Sequence, residues 1–333
     1  MPWPRYSPER VMDPEPERPE ARAQRRRALI GGSILALALL AAAYALYRDR
    51  HDFVHTIGRI GIGPIVGSAL CGLVGVGATF PIWRELLVGM DVSMPPGEGA
   101  RVYFTTQLGK YLPGSIWPAL MQMEAGRRRG ATRATMLWAN LGAVLLNCAV
   151  GLAVACVLLP IYDAGAFHRY WWVLLAVPAL LASVHPRVLP AVINRVLLLL
   201  RRPQLAAHVV PRAELKAAAW AAVSWAGFGG HIAFLVAASG ASSAGDVARS
   251  VGAIALAVPL GVLFIPAPAG AGIRDVVLLL VLRTMMSSGD ALAVVVGSRV
   301  LLLACDLVLA GAVAAPLLRW RRAGTTAGGK AGG

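Results

Sequence analysis

The sequence predicts an all-α fold, a polytopic bundle of membrane helices, on three observations. The first is composition: of 333 residues, 57% are hydrophobic and only 15% are charged, whereas an ordinary soluble domain has about 25% charged residues. The second is distribution, because the charged residues concentrate between long apolar blocks. The third is the abundance of Gly and Ala in these blocks, which lets membrane helices approach closely.

The chain divides into three predicted parts. Residues 1–27 are polar and contain six prolines, so we expect a disordered cytoplasmic tail. Residues 28–318 form the predicted transmembrane domain, and residues 319–333 a second disordered cytoplasmic tail. Eight apolar blocks predict the membrane segments, roughly 28–47, 60–80, 134–159, 171–190, 215–239, 250–266, 271–283 and 291–317.

The first block has two interpretations. Arginines precede it, and the Ala-rich sequence near Ala43 resembles the cleavage site of a secretory signal peptide. Its length of about 20 residues also matches a hydrocarbon core of about 30 Å. We favour a retained membrane anchor.

Two stretches predict broken or re-entrant helices. The block at 271–283 is too short for an ordinary span. Residues 101–120 are semi-polar and aromatic, which indicates a re-entrant element at the cytoplasmic face.

The positions of Lys and Arg predict the orientation. If the N-terminus is cytoplasmic and eight segments alternate, residues 1–27, 81–133, 186–216 and 318–333 lie inside. These segments hold 7, 7, 6 and 4 Lys/Arg, which is 24 of the 32 in the chain. Since positive charge is retained on the cytoplasmic side, we expect both termini in the cytoplasm of a plasma membrane protein.

The net charge of +15 fits this topology and attraction to anionic lipid better than nucleic-acid binding. A nucleic-acid interface needs basic residues on one soluble face, and no stretch between the blocks is long enough to fold alone.

The four cysteines lie in apolar blocks and form no CxxC or Cys/His cluster. We therefore expect no metal and no cofactor.

Polar residues inside the apolar blocks are costly and therefore informative. Arg299 and Asp306 are seven residues apart, about two helical turns, and share a face of the last block. They indicate either a polar stripe along a path for a charged group, or an internal ion pair or structural link to another helix. The same spacing places Asn140 with Asn147 and Ser224 with His231. Such pairs are usually packing hydrogen bonds, but three matching stripes favour a hydrated interior.

Two segments interrupted by Pro and Gly carry the strongest functional pattern. They are LGKYLPGSIWP (Leu108–Pro118) and PLGVLFIPAPAGAGIRD (Pro259–Asp275), and their Leu-Gly pairs lie 152 residues apart, near half the chain. Paired breaks in two halves are typical of transport sites in repeat-built transporters, so they suggest a pseudo-repeat of two halves. The alternative is a pair of tight interfacial turns. The residues that define the pattern are Tyr111, Pro113, Gly114, Trp117, Pro266, Pro268, Gly270 and Gly272.

The second segment suits an anion. Gly270 and Gly272 open a predicted helix near Ile273, whose N-terminal N–H groups carry partial positive charge. Arg274 adds a full charge, and Lys110 has the same role in the first segment. The natural anion at headgroup depth is a lipid phosphate, whereas Asp275 is suited to an amine or sugar hydroxyl, or to a local helix cap.

At these residues the sequence resembles the flippase-like transmembrane region of the lysylphosphatidylglycerol synthase family. The similar features are LGKYLPGSIWP, the later PxPxG–Gly–Ile–Arg–acid segment and the Arg299 helix. The resemblance as a whole covers roughly residues 30–318. The resemblance implies an inner-membrane bundle with re-entrant segments that moves a lipid between leaflets. We expect the soluble aminoacyl-transferring domain of two-domain members to be absent, and Asp275 stands where we expect Glu in the family.

We therefore expect a lipid translocator of a bacterial plasma membrane, not an enzyme. Lys110, Arg274 and Arg299 are predicted to hold the phosphate of an anionic or zwitterionic phospholipid, or of a polyprenyl-phosphate lipid. A polar pathway is predicted along Asn140, Asn147, His231, Asp275 and Asp306.

Two other functions remain open. One is an integral glycosyltransferase, or an accessory factor for such a lipid-modifying partner, although the outer loops hold few acids and no DxD pair. The other is a non-transporting scaffold, for which the intramembrane charges are dispensable. The sequence has no GxxxxGK[ST] pattern for nucleotide phosphates.

Overall fold

A computed structural model describes residues 60–111, 117–127, 130–161, 188–199, 210–263 and 270–327, with four isolated positions besides. Within this part the chain is helical and contains no strand, which confirms the predicted all-α class. The predicted tail at 1–27, the block at 28–47 and most of the block at 171–190 lie outside the described residues.

The described part contains ten helices and a 3-10 turn. In chain order the helices are α1 (Ile62–Gly77), α2 (Thr79–Val88), α3 (Pro96–Gln107), α4 (Trp117–Arg127), α5 (Arg133–Ile161), α6 (Leu189–Leu199), α7 (Pro211–Ala238), α8 (Ala244–Leu263), α9 (Ile273–Leu282) and α10 (Ser288–Ala327). The 3-10 turn, Leu108–Tyr111, follows α3 directly.

Five helical stretches among these are long and apolar enough to cross a membrane, so the chain is a multi-pass membrane protein. They are Ile62–Val88, Arg133–Pro160, Pro211–Ala238, Ala244–Val262 and Ser288–Ala315. They correspond to the predicted blocks at 60–80, 134–159, 215–239, 250–266 and 291–317. The last helix continues to Ala327, beyond the predicted end of its block.

The first of these spans continues eight residues past its predicted end, through α2. Arg84 and Glu85 lie in this extension, where they pair with each other at 3.6 Å and stay half-buried near the helix end. The helix is interrupted only at Ala78, where the Thr79 hydroxyl donates to the Val76 carbonyl at 2.5 Å.

Helix α7 lies at the centre of the bundle, in contact with α1, α2, α5, α8 and α10. Its crossing with α1 depends on two glycines, because a Cβ on Gly227 would collide with the backbone nitrogen of Gly75. The Ser224 hydroxyl, one turn earlier, donates to the Gly75 carbonyl at 2.8 Å. The small-residue pattern therefore does what the sequence predicted and brings two backbones together.

Two short hairpins complete the described fold. Helices α3 and α4, of 12 and 11 residues, contact each other on either side of the 3-10 turn. Helix α9 folds back along α8 and has only 10 residues, which rise about 15 Å, half the hydrocarbon core. Both hairpins contact α10, so it is the element on which the two interrupted segments meet.

Candidate functional site

Asp306 of α10 holds the first interrupted segment. Its carboxylate accepts a hydrogen bond from Lys110 Nζ at 2.8 Å on Oδ1, and the same nitrogen lies 2.7 Å from Oδ2. The Tyr111 hydroxyl donates to Oδ2 at 2.5 Å. Only 5% of the Asp306 side chain is exposed, whereas 32% of the Lys110 side chain is. One carboxylate thus ties the 3-10 turn to the last span.

Arg299, on the same face of α10, reaches the second interrupted segment. Its guanidinium lies 3.4 Å from Asp275 Oδ1 at the start of α9. Both side chains are partly exposed, at 27% and 33%. The contact is longer than the Lys110–Asp306 contact and therefore weaker.

Arg274 has neither an ion pair nor a hydrogen bond with any residue that the structure describes. It is half-buried at the start of α9 and lies within electrostatic range of Arg299, Asp275, Tyr111 and Asp306. Its charge is therefore not cancelled by a carboxylate of its own.

These six side chains form what we call the cation cluster: Lys110, Tyr111, Arg274, Asp275, Arg299 and Asp306. It contains three cations and two carboxylates, so its formal charge is +1. All three predicted phosphate-binding residues belong to it, and they come from three separate elements, the 3-10 turn, α9 and α10. A cluster with surplus positive charge in an apolar surrounding attracts an anion.

The start of α9 is shaped by glycine. Gly270 and Gly272 have φ of +67° and +88°, a conformation that costs glycine little and other residues much. A Cβ on Gly270 would lie 2.8 Å from the Cα of Gly261 in α8, so the hairpin also closes on a glycine contact. The fold thereby places Arg274 directly against α8.

Asp275 has a local task besides its contact with Arg299. Its Oδ2 accepts a hydrogen bond from the N–H of Gly272 at 3.1 Å, and so caps α9. The amide that was predicted to face an anion is thus occupied by the helix's own carboxylate. The geometry favours the local cap among the two interpretations that the sequence left open.

Tyr111 acts in the cluster as a hydrogen-bond donor. Burial, and after it the Asp306 carboxylate, raises the pKa of the Tyr111 phenol above its usual range. The hydroxyl therefore keeps its proton at physiological pH and remains able to donate to an anionic oxygen.

Four of the predicted pattern residues, Pro113, Gly114, Pro266 and Pro268, lie outside the described residues. Trp117 opens α4 with 42% of its surface exposed. A Cβ on Gly109 would lie 3.0 Å from the Trp117 Cβ, so this glycine lets the two ends of the break approach.

The predicted asparagine stripe does not join the cluster. Asn140 donates to Gln122 Oε1 at 2.9 Å, and Gln122 donates to Thr106 Oγ1 at 3.3 Å. This buried chain links α5 to α4 and α3. The Asn147 carbonyl accepts from the Trp225 indole at 2.8 Å, while its side-chain Oδ1 is buried without a partner.

His231 is fully buried and fully bonded. The Ser68 hydroxyl donates to the His231 carbonyl at 3.0 Å and lies 2.8 Å from ring Nδ1, while Nε2 lies 2.9 Å from the Ser298 hydroxyl. All of these hydrogen bonds can form if the ring is neutral and carries its proton on Nδ1. We assign this tautomer from the hydrogen-bond partners. We call Ser68, His231 and Ser298 the histidine junction, which ties α7 to α1 and α10.

Sequence reasoning missed two features near the α3–α4 hairpin. The first is the pair Gln122 and Thr106, which continue the hydrogen-bonded chain from Asn140. They were not singled out, because their contacts join helices whose packing no spacing rule predicts. A cavity of about 690 Å³ also opens there, lined by Ser93, Glu98, Val102, Thr106, Met121, Glu124 and Ala125. In the described part of the chain, no group of His, Cys, Asp and Glu is arranged to hold a metal ion.

No model of a known protein family matches the chain, and no curated protein matches it either. The class that fold and site define is a helical multi-pass membrane protein with a cationic cluster where a 3-10 turn, the start of a short helix and a long span meet. Functional inference therefore starts from the geometry of that cluster.

Proposed function

We propose that this protein translocates a phosphate-bearing lipid between the leaflets of a bacterial plasma membrane. The phosphate binds at the cation cluster, and the acyl chains stay in the bilayer. The substrate is a phospholipid or a polyprenyl-phosphate lipid, and a lipid-modifying enzyme is the kind of partner that supplies or consumes it.

The observation that carries the proposal is the uncancelled charge of Arg274. A cation in an apolar bundle without an ion pair costs free energy. An anionic ligand that binds beside Arg274 would offset this cost. A lipid phosphate supplies an anion that Arg274 and Arg299 can bind with charge-assisted hydrogen bonds. A purely structural network would pair each cation with its own acid.

The short elements beside the cluster support a route through the bundle. We infer that residues 101–120 and the ten-residue helix α9 are re-entrant elements, which belong to the two halves of a pseudo-repeat. Non-helical backbone at membrane depth is tolerated where protein or water satisfies its polar groups. Such breaks next to the cluster give a headgroup a polar path while the tails remain in lipid, with both termini in the cytoplasm.

Leaflet exchange in reconstituted liposomes tests the proposal. The purified protein is incorporated with a fluorescent phospholipid or a labelled polyprenyl phosphate, and loss of outer-leaflet label is followed with a quencher. We expect Arg274→Ala and Arg299→Ala to reduce exchange by about tenfold to a hundredfold, since each removes a charge-assisted contact worth about 1.5–3 kcal/mol.

Arg283→Ala is the matched control, because Arg283 is an exposed arginine at the end of the same helix α9. It should exchange lipid as the wild type does. Equal exchange by all three variants would show that the cluster charges are dispensable, as a scaffold requires, and would overturn the proposal.

A further inference from the structure

Asp306 has the geometry of a bound anion rather than of a surface ion pair. Its two oxygens accept three short contacts from Lys110 and Tyr111, all between 2.5 and 2.8 Å. The carboxylate is almost completely buried, while the Lys110 side chain that it holds is about one third exposed. The Lys110 side chain therefore contacts the carboxylate and is also accessible from outside.

A carboxylate and a phosphodiester present the same feature to these donors, namely two anionic oxygens on one atom. Lys offers three N–H donors and the Tyr111 phenol one O–H. These are the groups that bind a phosphate, and here they are occupied by the protein itself. Of the three cations in the cluster, Arg274 alone has no ion pair or hydrogen bond with a described residue.

We propose that Asp306 occupies the Lys110–Tyr111 half of the phosphate site when no lipid is bound, and that the incoming phosphate displaces it. This inference rests on the proposed function. Arg274 makes the first contact with the phosphate, and Lys110 and Tyr111 then exchange the Asp306 carboxylate for a phosphate oxygen. Release reverses the exchange, so Asp306 prevents the lipid from binding too tightly to leave.

Asp275 does not share this role, although it is the second acid of the cluster. Its contact with Arg299 is 3.4 Å long, and its other oxygen caps α9. It is therefore committed to the start of its own helix. The competing anion is Asp306 because its three short contacts all go to groups on another element.

Affinity for soluble phosphate probes distinguishes a competitor from a structural partner. The full chain in detergent is titrated with dihexanoylphosphatidylglycerol, dihexanoylphosphatidylcholine or inorganic phosphate, and the concentration that gives half of the maximal rise in melting temperature is measured. We expect Asp306→Asn to lower this concentration by about tenfold or more for the lipids, because it removes a charge-assisted competitor.

Asp246→Asn is the matched control. Asp246 also pairs with a cation, Arg249 at 2.6 Å, but at the start of α8 and outside the cluster. It should leave the half-saturating concentration unchanged. If Asp306→Asn is not recovered folded, Asp306→Ser replaces it, because it also removes the competing carboxylate and leaves Lys110 and Tyr111 in place, and the same direction is expected.

An unchanged or higher half-saturating concentration in the Asp306 variant, with saturable binding by the wild type, overturns this inference and leaves the proposed function intact. Absence of saturable binding of every probe to the wild type overturns both. Tightening for inorganic phosphate alone also overturns the inference, since the site would then serve a free anion and not a headgroup.

Discussion

The histidine junction and the cation cluster both place polar side chains in the apolar bundle, and both involve α10. In the junction, Ser68, His231 and Ser298 satisfy one another without any formal charge. In the cluster, three cations share two carboxylates, and Arg274 is left without a partner among the described residues. A polar network that is complete stabilises the fold, whereas one that is incomplete has capacity for a ligand.

The backbone elements that carry the junction and the cluster also differ. The junction lies between long helices, beside the crossing where Gly75 and Gly227 bring α1 and α7 together. The cluster is built from a 3-10 turn, the start of a 10-residue helix and one long span. Long spans thus hold the junction, whereas a 3-10 turn and the start of a short helix carry part of the cluster.

The largest effect is expected at the helix crossing. Gly227→Val places a side chain where the backbone of Gly75 lies, so α7 and α1 cannot approach and we expect a loss of several kcal/mol in stability. The measurement is the yield of monodisperse protein and its melting temperature in detergent. Gly63→Ala is the control, since a Cβ there meets nothing within 4 Å; an equal loss in both variants would contradict the assignment.

An intermediate effect is expected at the junction itself. His231→Leu leaves the Ser298 hydroxyl without its buried partner, whereas the Ser68 hydroxyl can still donate to the backbone carbonyl of residue 231, so we expect a cost of about 1–3 kcal/mol. Exchange activity per folded molecule should stay within about twofold of wild type. Activity lost from a protein with unchanged melting temperature would instead place His231 on the transport path, as its spacing first suggested.

Much of this architecture could be predicted from composition and block length. All five described spans were predicted, because a run of about 20 apolar residues with few charges is best explained as a membrane helix. The end of the first was wrong by eight residues, since Arg84 and Glu85 pair with each other instead of ending the helix. The predicted eighth-block helix and its stripe of Arg299 and Asp306 follow directly from helical periodicity.

The site was predictable in its members but not in its pairings. Arg299 was singled out because charge is rare in membrane segments, and Lys110 and Arg274 because they lie in the two interrupted segments. All three do lie in one cluster. Which acid holds which cation depends on tertiary packing, so Lys110–Asp306 and Arg299–Asp275 could not be read from spacing. The stripe of Asn140 and Asn147 failed as a guide to this cluster for the same reason, because Asn140 bonds to Gln122 of α4.

The smallest change in stability, and the most direct test of the central claim, is Arg274→Met. The substitution keeps an unbranched side chain of about the length of the arginine stem and removes a charge that lacks an ion pair, so the melting temperature should rise by about 2–4 °C. Leaflet exchange measured on the same preparation should fall by at least about tenfold. A variant that is less stable yet exchanges lipid as fast as wild type would contradict the claim that Arg274 is kept for a ligand.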